Sequence, residues 1–258
     1  MNLLIDIGNT NTSLAIVRGK RLKKRYFIRT SRKEISAKSL GRLLGKNCAK
    51  IDKILLVSVV PKFLRLMKKT LKQALPKAKV LVIGKDIKVP IKNNYRKPKQ
   101  VGQDRLVAAF AAKKKCGTPV ISIDFGTAVT LDCVNKKGEY DGGIIFPGLR
   151  LALASLVHEA ALLPKVDIKP TKSLVGRDTK ASMNNGILYG YASMCDGFIE
   201  KLRKKYGKSL KIVATGGDAK LVSKYSRHIK KVSQDLVFSG LLLFLDKDKF
   251  SKGPLRKK

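Results

Sequence analysis

A short segment that occurs twice places the strongest constraint on how this chain can fold. Residues 5–12 read IDIGNTNT and residues 123–130 read IDFGTAVT, so the copies stand 118 positions apart, as Asp6 and Asp124 do. An ungapped alignment matches the isoleucine, the aspartate, the glycine and the final threonine. The chain is therefore predicted to consist of two related halves, each built around an Asp-x-Gly turn.

The pattern of apolar residues and turn signals repeats in the same way. Each half opens with three predicted strands and continues with helices that alternate with further strands, which predicts a mixed sheet covered by helices. We expect an α/β protein with two domains, residues 1–117 and 118–258, whose Asp-x-Gly turns face each other across a central cleft. The predicted strands cover residues 2–8, 12–18, 21–29, 53–60, 79–83, 120–124, 129–134, 139–146 and 211–215. The predicted helices cover residues 33–46, a stretch entered through Pro61, 102–115, 148–160, 180–206, a stretch after Gly217, and 235–245.

The composition argues against several classes of protein. No apolar stretch of the sequence reaches the roughly 20 residues that span a bilayer, and polar residues interrupt the N-terminal apolar segment. We therefore expect no membrane span, no signal peptide and a cytoplasmic location. Two histidines and four dispersed cysteines give little material for a zinc site or a histidine-activated nucleophile, and the cysteines are expected to be structural thiols. Any chemistry should come from carboxylates and bound ions.

The net charge of +38, from 56 basic and 18 acidic residues, is unusually high. The basic residues are spread over predicted turns such as 18–24, polar helix faces and the tail at 247–258. Two interpretations remain open: a lysine-rich habit of the source organism, or a surface selected to bind polyanions. We expect any nucleic-acid binding to be non-specific and driven by charge.

The first Asp-x-Gly turn surrounds a carboxylate with short polar side chains. Gly8 allows a ligand to approach the backbone closely, so the turn can wrap nucleotide phosphates while Asp6 holds Mg²⁺ directly or through water. A hairpin turn without a ligand is the alternative for one isolated copy. The second copy at Asp124 favours the functional interpretation.

Gly102 to Arg105 lie at the predicted start of a helix, where exposed N–H groups and the helix dipole favour anions. Asp104 can be a helix cap or a general base that accepts a hydroxyl proton, with Arg105 balancing negative charge. The local sequence leaves both roles open. The segment ATGG at 214–217 is either a tight turn or a place for an adenosine or phosphate group.

Several motifs, taken in order, resemble those of type III pantothenate kinases, and together they span residues 6–217. They are DIGNT at Asp6, the segment from Tyr95 to Arg105 that ends in VGQDR, DFGTAVT at Asp124, GGIIFPGL at Gly142, GRDT at Gly176 and ATGG at Ala214. Two departures are small: Gln103 stands where Ala is common, and Lys97 stands where Asn often precedes the proline.

The resemblance implies ATP-dependent phosphorylation of pantothenate to 4′-phosphopantothenate, the first step of coenzyme A synthesis. It also implies a homodimer of duplicated ribonuclease-H-like (actin-like ATPase) domains. Asp104 would be the general base, Asp124 would bind the monovalent cation (K⁺ or NH₄⁺) used beside Mg²⁺, and Thr127 would contact ATP. Thr179 would reach pantothenate in a pocket at the dimer interface. The phosphate loop would comprise Asp6, Ile7, Gly8, Asn9, Thr10, Asn11, Thr12 and Ser13. The pantothenate site would comprise Tyr95, Gly102, Gln103, Asp104 and Arg105.

Two other functions are compatible with parts of this pattern. Some relatives of these kinases act as DNA-associated accessory transcription regulators, and such a protein could lose Asp104 or Asp124 without penalty. A sugar or acetate kinase would share the phosphate turns but would need a different acceptor site. Both reactive carboxylates are present here, which favours the pantothenate kinase.

Overall fold

The structure is a computed structural model that describes residues 1–245, so the basic tail predicted at 247–258 lies outside the described residues. The strands are β1 (Asn2–Ile7), β2 (Asn11–Arg18), β3 (Arg21–Arg29), β4 (Lys53–Ser58), β5 (Lys79–Val82), β6 (Val120–Phe125), β7 (Ala128–Val134), β8 (Tyr140–Pro147) and β9 (Lys211–Thr215). The helices are α1 (Ala37–Leu44), α2 (Pro61–Ala74), α3 (Gln103–Cys116), α4 (Leu149–Glu159), α5 (Thr179–Tyr206), α6 (Ala219–Val222) and α7 (Leu236–Leu243). None of the helices in this part of the chain combines the length and apolar character needed to cross a bilayer.

The first sheet has the strand order β3-β2-β1-β4-β5 and is mixed, as predicted. The tight turns after β1 and β2 make antiparallel neighbours, whereas the helical connections before β4 and β5 allow parallel pairing with β1 and β4. Alternate side chains of β1, β2 and β4 face one apolar core together with residues of α1 and α2. The fully buried members of this core include Leu3, Ile5, Ile7, Leu14, Leu40, Ile54, Leu56, Met67 and Leu71.

The second sheet repeats this order as β8-β7-β6-β9. β6 pairs antiparallel with β7, and the long connection through α4 and α5 brings β9 parallel to β6. The core on one face is built from alternate strand residues and from α5. It includes Ile121, Ile123, Phe125, Val129, Leu131, Leu188, Ala192, Cys195 and Ile199. The structure thus confirms the predicted mixed sheets, and the four strands of the second follow the order β3-β2-β1-β4 of the first.

The strand pairing corrects one detail of the internal repeat. Asp6 lies opposite Ser13, whereas Asp124 lies opposite Thr130, because the second turn is one residue shorter than the first. Thr130 is therefore the structural counterpart of Ser13. The ungapped alignment, which matched it to Thr12, is wrong at this position and right at the aspartate and glycine.

The described residues form two compact units. Unit 1 contains Met1–Pro90, Lys99–Phe110 and residues 237–245, and unit 2 contains Ile91–Pro98 and Ala111–Leu236. In unit 1 the Phe110 and Phe244 rings stack at 5.7 Å, which joins the middle of α3 to the residue that follows α7. The domain boundary at 117/118 stays a prediction about the duplicated sequence.

Most helix bounds agree with the sequence within a few residues, and two differ for identifiable reasons. The helix predicted at 33–46 begins at Ala37 because the Ser36 side chain accepts a hydrogen bond from the Ser39 N–H, which caps the first turn. It ends at Leu44 because Gly45 takes a positive φ of 51°. The helix predicted after Gly217 is a single turn, α6.

Two of the four cysteines, Cys133 and Cys195, are buried as the sequence predicts for structural thiols. Cys133 and Cys195 lie in the core of unit 2 with 4% and 0% of their surface exposed. Burial raises the pKa of each thiol to about 12, and the neighbouring aspartates Asp132 and Asp196 add to the shift. Both side chains are therefore protonated at neutral pH and serve as small apolar groups.

Candidate functional site

The carboxylate of Asp6 stands at the end of β1 on the face opposite the apolar core. Its neighbours Ile5 and Ile7 point into that core and are fully buried, so the alternation of the strand directs Asp6 to the other side. There it faces Ser13 of β2 and Val57 of β4 across the sheet. The strand pairing therefore fixes where this half-exposed carboxylate lies.

The turn that follows exposes its polar side chains. The Gly8 N–H donates to the Asn11 carbonyl at 3.0 Å, and a Cβ on Gly8 would lie 3.1 Å from the same oxygen. Asn9, Thr10 and Asn11 are exposed, as an anion-binding turn requires. Thr12, in contrast, is fully buried and faces the protein interior.

Thr30, just beyond β3, braces this turn. Its hydroxyl donates to the Gly8 carbonyl at 2.8 Å and lies 3.0 Å from the Thr12 hydroxyl. Its backbone N–H donates to the Thr10 carbonyl at 2.9 Å. Sequence reasoning missed Thr30 because nothing in its local sequence marks a partner that lies about twenty residues earlier.

The start of α3 places Asp104 in the first helical turn, where the helix dipole favours a negative charge. One carboxylate oxygen of Asp104 accepts the Arg105 N–H at 2.7 Å. A Cβ on Gly102 would lie 2.5 Å from that same oxygen, so glycine leaves the space that the carboxylate occupies. Within the GQDR segment, Gly102 and Arg105 therefore both lie against the Asp104 carboxylate.

Val59 connects this helix start to the Asp6 turn. Its N–H donates to the Ile7 carbonyl at 3.3 Å, and its Cγ1 lies 3.1 Å from where a Cβ on Gly102 would be. Both contacts lie beyond the carboxyl end of the parallel pair β1 and β4. The structure therefore brings the predicted phosphate loop and Asp104 to the same edge of one sheet, within unit 1.

The unusual Gln103 also has a structural explanation. Gly84 has a positive φ of 86°, and a Cβ at this position would lie 2.6 Å from the Gln103 Cδ. The Gln103 side chain therefore packs directly over the glycine backbone. The larger residue fits here because Gly84 has no side chain.

The second Asp-x-Gly turn, in unit 2, sets oxygen atoms around Gly216. Asp124 lies beside Thr130 of β7 and Thr215 of β9. Gly216 has a positive φ of 94°, and a Cβ on it would collide with the Asp124 carboxylate and lie 2.6 Å from the Phe125 carbonyl oxygen. Gly216 therefore packs directly against both oxygens, which a side chain at this position would prevent.

The neighbouring segments of unit 2 pack on the same turn. The exposed Thr127 accepts the Gly148 N–H on its carbonyl at 2.9 Å, and Gly148 caps the start of α4. The Asp218 N–H donates to the Phe125 carbonyl at 3.4 Å, and the Asp218 carboxylate pairs with Arg150 at 3.2 Å. The ATGG segment, a weak signal in the sequence, therefore lies against the Asp124 turn.

Tyr95 belongs to a strap, residues 91–98, that runs along the edge of β8. The Asn94 N–H donates to the Tyr140 carbonyl at 2.9 Å, and the Tyr140 N–H donates to the Lys92 carbonyl at 2.8 Å. The Tyr95 ring rests on Gly142, where a Cβ would lie 3.3 Å from the ring. These contacts fix the position of the tyrosine on unit 2.

Glu139 anchors this strap. Its carboxylate accepts hydrogen bonds from Lys92 at 2.8 Å, Asn94 at 3.0 Å and Asn135 at 3.2 Å. These three hydrogen bonds lower the pKa of Glu139 to about 2, and the bond from Lys92 has the largest effect. Asn94 and Glu139 escaped sequence reasoning because their pairing joins segments far apart in the chain.

Thr179 is the first residue of α5 and is exposed. Asp178 caps this helix by accepting the Ala181 N–H at 2.8 Å. A Cβ on Gly176 would collide with the Ser182 backbone. The GRDT motif is therefore a helix start in which the glycine allows close approach and the aspartate caps.

Single carboxylates, not clusters, are available to hold cations. Within residues 1–245 no group of three or more His, Cys, Asp or Glu side chains is gathered for a metal. Mg²⁺ bound with a nucleotide commonly uses one or two carboxylates together with phosphate oxygens. The partly exposed Asp6 fits that chemistry. The Asp124 carboxylate and the Phe125 carbonyl, which both lie against Gly216, are oxygen donors of the kind that a monovalent cation accepts.

Solved structures share this fold. A Baf family transcriptional activator from Campylobacter jejuni matches with a TM-score of 0.61 at 20% identity, over 94% of this chain and 96% of that one. The ethanolamine utilization protein EutJ from Carboxydothermus hydrogenoformans matches with a TM-score of 0.53 at 13% identity, over 94% and 89% of the two chains. At these identities the likeness shows the fold alone, so the Campylobacter protein lends no support to a regulatory role here.

The two mixed sheets, whose first strands each lead into an Asp-x-Gly turn, define an α/β fold built from two similar halves, which EutJ shares. The family model for type III pantothenate kinase matches residues 2–201. The type III pantothenate kinase of Persephonella marina is 39% identical over 87% of this chain and 90% of its own length. That of Halalkalibacterium halodurans is 36% identical over 96% and 100%. The chain belongs to the type III pantothenate kinase family, which confirms the resemblance seen in the sequence motifs.

The packing at Gly216 leads to a stability prediction. Gly216→Ala should lower the free energy of unfolding by about 1–3 kcal/mol, because the new Cβ meets the Asp124 carboxylate and the backbone φ is positive. Gly217→Ala is the matched control, since no atom lies within 4 Å of a Cβ there. It should change the free energy by less than about 0.5 kcal/mol. Urea unfolding of both variants gives the measurement, and equal stabilities would contradict the packing described for Gly216.

Proposed function

We propose that this protein carries out the reaction for which its family is named, the ATP-dependent phosphorylation of pantothenate to 4′-phosphopantothenate. This is the first step of coenzyme A synthesis. The observation that carries the proposal is the family match over residues 2–201, which includes both Asp-x-Gly turns and the GQDR helix start. As a phosphotransferase, the protein needs a nucleotide site, an acceptor site and a base between them.

Asp104 is proposed as the general base that accepts the proton of the pantothenate hydroxyl. Its carboxylate is ordered by the Arg105 N–H at 2.7 Å and stands in the first turn of α3. A carboxylate held in one orientation can receive a proton as the hydroxyl attacks phosphorus. Arg105 would balance the negative charge that gathers around the transferred group.

The residues Asp6 to Ser13 are proposed to form the loop that binds the phosphates of ATP, with the buried Thr12 supporting it from the protein interior. Asn9, Thr10 and Asn11 are exposed on the turn, and Asp6 stands at its base to hold Mg²⁺ directly or through water. When bound, Mg²⁺ neutralises phosphate charge. Thr127, exposed on the second turn, would also contact ATP.

Asp124 is proposed to hold the monovalent cation, K⁺ or NH₄⁺. Its carboxylate and the Phe125 carbonyl both lie against Gly216, so two oxygen donors are close to each other. Oxygen donors of this kind suit a hard cation with loose geometric demands. This assignment separates the two turns by task, although they derive from one repeated motif.

Pantothenate is proposed to lie among Tyr95, Gly102 to Arg105, and Thr179 from a second copy of the chain. Large apolar side chains exposed in unit 2 support a homodimer, among them Leu174 at 63% and Val175 at 72%, which precede Thr179 by only a few residues. Such exposed apolar groups commonly mark an interface. We place the reaction in the cytoplasm, where ATP is supplied, and we attribute any nucleic-acid binding to the +38 net charge.

The activity is tested directly with the purified chain, ATP, Mg²⁺, K⁺ and a panel of acceptors. Pantothenate should yield 4′-phosphopantothenate by mass spectrometry, whereas acetate and hexoses should yield no phosphorylated product. Product with acetate or a sugar, and none with pantothenate, would reject the proposed acceptor.

The role of Asp104 is tested by Asp104→Asn. The amide can still accept the Arg105 N–H but cannot take a proton, so kcat should fall on the order of 10²-fold or more while the fold and substrate binding persist. Asp52→Asn is a control, because that carboxylate is 81% exposed and pairs with the N-terminal amine at 2.8 Å. A kcat for Asp104→Asn equal to that of the control removes Asp104 from the role of base.

The contribution of a second copy is tested by mixing two impaired variants. In a heterodimer of Asp104→Asn with Thr179→Val, one of the two sites keeps both an intact base and an intact threonine if Thr179 serves the neighbouring subunit. Differently tagged chains, co-expressed and purified as the heterodimer, should then recover a measurable part of wild-type activity. Neither homodimer should do so. A heterodimer no more active than its parents would place Thr179 in the site of its own chain.

A further inference from the structure

We propose that Thr30 is a positioning residue for the nucleotide phosphates, one that aims the N–H groups of the Asp6 turn at the ligand. The inference rests on the proposed function, since it concerns the turn assigned to ATP. Thr30 itself lies outside every motif of the sequence and does not belong to that turn. It acts through the two carbonyls that it binds.

The three bonds that Thr30 makes are directional. The hydroxyl donates to the Gly8 carbonyl at 2.8 Å, and the backbone N–H donates to the Thr10 carbonyl at 2.9 Å. The Thr12 hydroxyl, 3.0 Å away, completes the arrangement and comes from a side chain with no exposed surface. Two carbonyls of a three-residue turn are therefore drawn to the side of β3.

Because the peptide bond is planar, the direction of each carbonyl also sets the direction of the N–H group that follows it. In a trans peptide the C=O of one residue and the N–H of the next point in opposite directions. Holding the carbonyls of Gly8 and Thr10 toward Thr30 therefore directs the N–H groups of Asn9 and Asn11 away from it. Backbone N–H groups that point outward from one turn are suited to phosphate oxygens.

The second half of the molecule contains a natural comparison. Arg29 pairs with Asn11 and Pro147 pairs with Ala128, so the next residues, Thr30 and Gly148, occupy equivalent places. Gly148 repeats the backbone bond, donating to the Thr127 carbonyl at 2.9 Å, but it has no hydroxyl.

The hydroxyl bond is thus present at the turn proposed for ATP and lacking at the turn proposed for the cation. The difference follows the length of the two turns. The connection between β1 and β2 is one residue longer than that between β6 and β7. A longer turn has more conformations to lose, so an additional bond is needed to hold it in one of them. Thr30 supplies this bond where a loosely held turn would weaken phosphate binding.

The test compares Thr30→Val with Thr30→Ser. Valine keeps the shape and removes the hydroxyl, whereas serine keeps the hydroxyl. We expect Thr30→Val to weaken ATP binding about five- to tenfold, measured by calorimetric titration without pantothenate, and to raise the KM for ATP by a similar factor. Thr30→Ser should stay within about twofold of wild type, and the KM for pantothenate should hardly move in either variant.

Two further variants guard against a general structural effect. Thr118→Val removes a threonine hydroxyl that donates to the Lys136 carbonyl at 3.1 Å in unit 2, and it should leave the affinity for ATP unchanged. Thr30→Ala leaves room for water beside Thr12, so it keeps the test available if valine prevents folding, and it should weaken ATP binding as valine does.

The possible results separate the two proposals. Unchanged affinity for ATP in Thr30→Val or Thr30→Ala, or equal loss in Thr30→Ser, overturns the positioning role. A wild-type protein that binds ATP with this dependence on Thr30 but does not phosphorylate pantothenate supports the role of Thr30 and rejects the proposed acceptor.

Discussion

The parallel pairing of β1 with β4, and of β6 with β9, determines where the carboxylates proposed to bind ligands lie. Parallel strands end at the same edge, so whatever follows them in the chain is brought together there. In unit 1 this edge collects the Asp6 turn, Val59 and the start of α3. In unit 2 it collects the Asp124 turn and the glycines after β9. Because alternate residues of each strand are buried in an apolar core, the carboxylates between them lie on the opposite face of the sheet.

Much of this arrangement was predictable because it follows from short-range rules. Hairpin turns and apolar alternation gave nearly all strand bounds, and the repeated Asp-x-Gly segment predicted two sheets of the same kind. The resemblance of the motifs gave the family. The role of Asp104, by contrast, stays a prediction, because local sequence is compatible with both a base and a helix-terminal charge.

What sequence reasoning missed depends on partners that lie far apart in the chain. Thr30 and Glu139 have ordinary neighbours in sequence, and their importance comes from hydrogen bonds to Gly8 and Asn94. The one-residue difference between the two turns was hidden because an ungapped alignment matched a threonine by coincidence. Strand register, which depends on the whole sheet, was needed to correct it.

The equivalence of Thr30 and Gly148 has a consequence for the substitutions that the second turn can accept. A Cβ on Gly148 would collide with the carbonyls of Gly126 and Thr127, so a threonine cannot be accommodated there while the shorter turn persists. A threonine at this position would require a residue to be inserted in the turn and the glycine to be replaced together. A substitution at Gly148 alone therefore cannot introduce into unit 2 the hydroxyl bond that Thr30 makes in unit 1.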